Sequence, residues 1–139
     1  MKALLRSPLH GLVSKHLMLL TFAGRKTGKT YTVVVGRHEV NGDLLVPTGT
    51  TGRRWRLNFR GGAPVFVTLE GRRREDRCEL IEDPEEVIRL NELLLDRVGL
   101  QNARRLGLKV NEYRRPTSGE LRTVLSGRGL IRIEPDEVP

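Results

Sequence analysis

The sequence predicts a mainly β protein, a small antiparallel β-barrel with α-helices gathered late in the chain. Three observations lead there. Short apolar or alternating runs at residues 17–22, 31–40, 44–46, 64–69, 73–81 and 129–135 read as six strands. Asn41-Gly42-Asp43 and Glu70-Gly71-Arg72 supply hairpin turns between neighbours. The one strong helical pattern falls after the fifth strand, leaving the last strand to close the barrel.

Taken in order, residues 17–22 are apolar and end at Ala23-Gly24, as a buried strand does. A basic turn leads into the β-branched run from Tyr31, and Asn41-Gly42 returns the chain to Leu44-Leu45-Val46. Residues 47–52 form a polar loop with two glycines, able to hydrogen-bond an anion or a planar heterocycle or simply to connect. Residues 53–60 suggest a short helix in which Trp55, Leu57 or Asn58, and Phe59 compete for the core, stopped by Gly61-Gly62. Two strands follow. Asp83 then caps a helix with Pro84 at its first position and acids in its first turn, and Val87, Ile88, Leu90, Leu94, Leu95 and Val98 mark its apolar face as far as Gly99. A second helix is expected over residues 101–106, before the last strand and a loose tail at 135–139.

At 139 residues the chain fits a single domain, 1–139, with residues 1–16 as an N-terminal segment. That segment reads neither as a signal peptide nor as a membrane span. Residues 4–20 would make either an amphipathic helix or a local packing segment. Cys78 is the only cysteine, which suits a reducing cytosol and hence a cytoplasmic protein, and its alternating run makes it a half-buried strand residue. His10, His16 and His38 are widely spaced, so no zinc-type cluster and no metal site is expected. Each reads as a surface or packing residue, with haem ligation by one of them the other reading.

Net charge is +8, with arginines crowded at residues 53–60 and 72–74. Such a field attracts nucleic acid, anionic lipid or a polyanionic cofactor alike. Aromatic residues make up only 4 % of the chain, which counts against a single-strand nucleic-acid site that stacks bases on rings.

The most informative stretch is Gly24-Arg25-Lys26-Thr27-Gly28-Lys29-Thr30, with three cations and two glycines between two strands. Glycines let backbone close on a ligand, while arginine and lysine offer a planar fork and a mobile point charge to phosphate or carboxylate oxygens. It reads as an anion-binding loop or as a solvated basic hairpin tip. A nucleotide P-loop is rejected, because its first glycine would fall on Ala23 and because a strand, not a helix, follows.

The order of motifs now matters: the basic turn, a hairpin, a hydroxyl-rich loop, Trp55-Arg56-Leu57-Asn58-Phe59-Arg60, then Pro64-Val65-Phe66-Val67. This order, over about residues 17–135, resembles the deazaflavin (F420)-dependent nitroreductase family of the flavin/deazaflavin oxidoreductase superfamily. The resemblance implies a split β-barrel of the FMN-binding-protein-like kind, with coenzyme F420, or alternatively FMN, in a groove beside the barrel. It implies that Arg25, Lys26, Thr27, Gly28 and Lys29 hold the cofactor phosphate and acidic tail. The strand residues Thr32 to Val34, with Val46, Pro47, Thr48 and Gly49, would line the ring system by backbone contacts, Trp55 would pack near its edge, and Asn58 would fix the helix. Tyr113 falls where the family places a tyrosine near substrate, and would donate a hydrogen bond there or merely anchor a late loop. The chain departs from the family at Pro47, Gly49 and Thr50, losing one backbone donor and one cation.

The activity so implied is hydride transfer between the deazaflavin and a small hydrophobic, quinone-like or nitro substrate, by a monomer or homodimer. The other readings are an FMN-binding oxidoreductase of the same fold, a basic nucleic-acid-binding barrel, and a cofactor carrier with little turnover.

Overall fold

The computed structural model describes residues 16–48, 54–111 and 113–135; the expectations for the N-terminal segment, for Gly49 and for the end of the tail lie outside them. Seven strands form one antiparallel sheet: β1 (Leu17–Ala23), β2 (Thr30–Gly36), β3 (Glu39–Val40), β4 (Asp43–Pro47), β5 (Ala63–Leu69), β6 (Arg72–Ile81) and β7 (Leu130–Pro135). Their order across the sheet is β2-β1-β5-β6-β7-β4-β3. The last strand does join the two halves of the sheet, β6 to β4, yet β2 and β3 remain edges, so the sheet is a curled half-barrel.

Alternation sorts the side chains. Met18, Leu20 and Phe22 of β1 point inward with Leu44 and Val46 of β4, Val65 and Val67 of β5, and Ile131 and Ile133 of β7, all nearly or fully buried. Each such side chain contributes about 1.5–3 kcal/mol by leaving water. Leu45 and Leu130 face the other way and carry the helices, together with Val87, Ile88, Leu90, Leu94 and Leu95 of α1 (Pro84–Val98) and Leu121 of α2 (Ser118–Val124). The helices therefore cover one half of the sheet's outer face. At the other half, Val34 of β2 and Phe66 of β5 are exposed, with the Arg73 guanidinium 4.2 Å above the Phe66 ring.

Several expectations change in detail. The strand expected at residues 31–40 breaks into β2 and β3, because Arg37 turns its N–H to His16 O at 2.8 Å and His38 accepts the Leu45 N–H at 2.8 Å. The helix expected at residues 53–60 is a 3-10 segment, Arg54–Phe59, and the one expected at 101–106 is another, Leu100–Leu106. Phe59 takes the core position at 1 % exposure, leaving Trp55 and Leu57 partly buried against it. Cys78 is fully buried rather than half-buried, and burial pushes its thiol far above the ordinary cysteine range, which makes it inert. Pro47 costs the sheet nothing: Leu45 bonds toward β3 and Thr48 toward β7, so the nitrogen of Pro47 lies on the side where β3 has ended.

Candidate functional site

The β1–β2 hairpin builds the site. Its register sets Phe22 opposite Tyr31 and Ala23 opposite Thr30, leaving residues 24–29 as the loop. Gly24 donates to Lys29 O at 2.7 Å and accepts from Gly28 N at 2.7 Å, which closes the loop on itself. Gly28 makes this turn with φ at +73°, a conformation that costs a side-chain-bearing residue about 1 kcal/mol or more. Lys29 N–H adds a bond to Thr27 Oγ1 at 3.3 Å, which leaves the Thr27 hydroxyl proton free for another acceptor.

Beside this loop runs the 3-10 segment Arg54–Phe59. Asn58 ties the two together: its Oδ1 accepts the Arg25 N–H at 2.8 Å, and its Nδ2 donates to Trp55 O at 2.8 Å. Between them lies a cleft of about 460 Å³. Its floor is aromatic. Phe22 stands 6.0 Å from Tyr31, 6.0 Å from Trp55 and 5.0 Å from Phe59, and Trp55 is 6.2 Å from Phe59. The chain has six aromatic residues in all, one Trp, two Tyr and three Phe, so the three that line this cleft, Phe22, Tyr31 and Trp55, backed by Phe59 in the core, turn a ring-poor composition into a concentrated site. Pairs at these distances contribute about 0.5–1.5 kcal/mol each beyond their burial, enough to hold the floor in one arrangement.

The rim is cationic. Arg25 and Lys26 line the cleft and are exposed, and among the described residues neither they nor Lys29 take part in an ion pair. Elsewhere arginine is commonly matched to a carboxylate, as in Arg60 with Glu82 at 2.9 Å and Arg114 with Glu120 at 2.7 Å. The cleft thus offers a planar apolar bed beneath uncompensated positive charge, where a ring system carrying an anionic group fits.

Of the residues expected at the site, the cleft brings together Arg25, Lys26, Thr27, Thr32 and Trp55. Gly28 and Lys29 belong to the same loop but do not line it. Val34 is 44 % exposed and opposite Leu19 on the outer face of the sheet. Val46 is buried in the core, and Pro47 ends β4 on the outer face beside Leu130. Thr48 is buried with both its donors spent on Gly129 O, from the hydroxyl at 2.8 Å and from N–H at 3.3 Å, while Oγ1 accepts from Arg56 Nη1 at 2.8 Å. Thr48 therefore has only acceptor capacity left for a ligand. Tyr113 is 85 % exposed between the second 3-10 segment and α2, its N–H bonded to Asn111 Oδ1, and does not line the cleft.

Phe22, Tyr31 and Leu57 line the cleft without having been expected there, and Val33, within the expected run Thr32 to Val34, lines it too. The signal was present in the hairpin itself, since a six-residue loop places residues 22 and 31 opposite each other on one face. Among the described residues, no three His, Cys, Asp or Glu side chains are grouped to hold a metal ion, and no helix is long and apolar enough to cross a membrane.

No protein-family model and no curated protein matches the chain. Solved structures do. One, described as a domain-swapped dimer, aligns with a TM-score of 0.57 at 18 % identity, over 96 % of this chain and 92 % of its own. An F420-H2 dependent reductase aligns with a TM-score of 0.57 at 17 % identity, over 86 % and 95 %. The FAD and heme binding protein from Mycobacterium smegmatis aligns with a TM-score of 0.51 at 19 % identity, over 96 % and 74 %. Identities this low speak to architecture alone, and the curled antiparallel sheet agrees with them: the chain has a split β-barrel fold.

Proposed function

We propose that the protein is an F420-dependent oxidoreductase acting on a small hydrophobic, quinone-like or nitro substrate. The observation that carries this reading is the meeting of the Phe22–Tyr31–Trp55 floor, packed on Phe59 beneath, with the unpaired Arg25 and Lys26 around one cleft. Similarity in fold to an F420-H2 dependent reductase supports it.

The residues present fit the cofactor. Trp55 and Tyr31 offer apolar faces to a planar ring, and Arg25, Lys26 and the free hydroxyl proton of Thr27 are donors for its phosphodiester and glutamate carboxylates. When bound, the deazaflavin supplies the hydride chemistry. The protein's part is to orient and to keep water out: the Asn58 tether fixes the cationic loop over the aromatic floor, so that ring and acidic groups are held together. Among the described residues the cleft presents no acid–base triad, and a hydride carried by the cofactor requires none.

The test is turnover. Reduced F420 mixed with a benzoquinone or nitroaromatic acceptor should be reoxidised faster with the protein than without it, and Trp55→Ala should abolish the difference. Failure to bind F420 together with stoichiometric FMN binding would move the protein to the flavin branch. Binding of neither, with salt-sensitive binding of DNA or RNA, would overturn the oxidoreductase reading.

A further inference from the structure

At the far end of β2 from the cleft, a second recess of about 570 Å³ opens between the break that separates β2 from β3 and the C-terminal end of α1. One wall is strand backbone held at both sides, since Arg37 N–H bonds to His16 O and His38 O accepts the Leu45 N–H. The His38 ring folds back over Gly36, where an added Cβ would lie 3.1 Å from Nε2. The opposite wall carries Arg97 in the last turn of α1 and Arg105 in the 3-10 segment Leu100–Leu106. Asn102 locks these two elements, its Nδ2 donating to Val98 O at 2.8 Å.

The charges do not cancel. Glu70 is taken up by Arg37 at 3.0 Å, and Glu39 stands exposed at the rim. Arg97 and Arg105 have no carboxylate partner among the described residues. Two arginines and a half-buried imidazole thus converge on a space of small-molecule size, on walls fixed by backbone bonds.

We infer that this recess is a binding site for a tetrahedral oxyanion, the phosphate group of a small molecule or free phosphate, held by Arg97 and Arg105 with His38 as a third donor. Burial, and then the fields of Arg105 and Arg97, hold the His38 imidazole below its ordinary pKa, so the empty recess keeps it neutral near pH 7. An anion seated between the arginines offsets their field and draws a proton onto His38. Affinity therefore rises as pH falls. His16, Arg37, Glu39 and Glu70 also face the recess, and Glu70 stays committed to Arg37.

The probe is sulfate, whose own charge is fixed across this range, added to the full chain while histidine side-chain resonances are followed by NMR. Sodium chloride at matched ionic strength is the reference. The expected result is saturable movement of the His38 signals by sulfate and not by chloride, with the His38 pKa raised in the bound state. Arg97→Gln/Arg105→Gln should weaken binding at least about tenfold, and Arg104→Gln, an exposed cation of the same segment outside the recess, should leave it unchanged. A phosphomonoester such as glycerol phosphate binding more tightly than inorganic phosphate would assign the recess to a phosphorylated metabolite, and the reverse to the free ion. Equal response to chloride, no saturation, or undiminished binding in the folded double variant would overturn the inference; the sulfate-against-chloride comparison decides it on the unmodified protein even if the variant does not fold.

Discussion

The Asn58 side-chain oxygen accepts the Arg25 backbone N–H at 2.8 Å across a separation of 33 residues, and through it the cationic loop is fixed to the aromatic floor. The same carboxamide donates to Trp55 O, so one side chain fastens both halves of the cleft. Replacing it separates charge from ring surface without touching either. Asn58→Ala is expected to cost about 1–3 kcal/mol of stability and to weaken cofactor binding at least about tenfold by loosening the loop. Chemical denaturation and equilibrium binding measure the two effects, and a loss of stability with unchanged affinity would deny the tether its role.

Lys26 lines the cleft and Lys29 does not, although both belong to one loop. Lys26→Ala should weaken cofactor binding several-fold more than Lys29→Ala, and the gap should narrow as salt is raised. Titrations at two ionic strengths check this. Equal effects would mean that the loop acts as a diffuse field rather than by contact.

Gly24 lies against the Tyr31 ring: an added Cβ would sit 2.7 Å from Cε2. Because the clash falls on a side chain able to swing rather than on backbone, Gly24→Ala should disturb the cleft more than the fold. The expected result is a stability loss of about 1–2 kcal/mol with a larger proportional loss of cofactor affinity. In a Tyr31→Ala background, Gly24→Ala should cost little further stability, because the clashing ring is gone, which thermal melts of the single and double variants would show.

Asn91 is 1 % exposed within α1; its Nδ2 bonds back to Val87 O at 2.8 Å, while Oδ1 has no partner among the described residues. A buried acceptor left unpaired costs more than its partner bond returns. Asn91→Leu, which keeps the branched heavy-atom skeleton without the polar atoms, should therefore raise stability by about 1 kcal/mol, read from the urea midpoint at constant slope.

The N-terminus of α2 carries a capping box in which Thr117 Oγ1 accepts from Glu120 N at 3.1 Å and Glu120 accepts from Thr117 N at 2.8 Å. Arg114 pairs with the same carboxylate and, with the Thr117 bonds, lowers its pKa to about 2. Since the folded pKa lies below the unfolded one, the contribution is complete above the unfolded pKa and is lost as pH falls through that window toward 2. Glu120→Gln should flatten that part of the acid-denaturation curve. Thr117→Ala should cost about 1 kcal/mol at neutral pH.

Much of the fold was legible because local signals agreed with tertiary ones. Asn41 and Gly42 adopt φ of +53° and +89°, as the hairpin signal required, and Asp83 caps α1 through its bond to Glu86 N at 3.1 Å. What escaped depended on competition between local bonds. Residues 54–59 became 3-10 rather than α-helix in a segment where Asn58 takes Trp55 O with its side chain. Helix α2 has seven residues with Leu121 as its buried residue, too short for periodicity, although Thr117 and Glu120 had the capping spacing. The basic loop was legible at the site because glycine and charge are local signals. The whole aromatic floor was not, because the hairpin register pairs Phe22 with Tyr31 but only the tertiary fold brings Trp55 and Phe59 of the distant 3-10 segment against them.

Trp55 is the single tryptophan and lies in the cleft, so its fluorescence reports on the proposed site alone. Titration of the protein with F420 should quench Trp55 emission saturably, and Arg25→Ala/Lys26→Ala should shift the midpoint to higher concentration without altering the starting spectrum. Binding of F420 detected by ultrafiltration with no change in Trp55 emission would place the cofactor elsewhere and contradict the account.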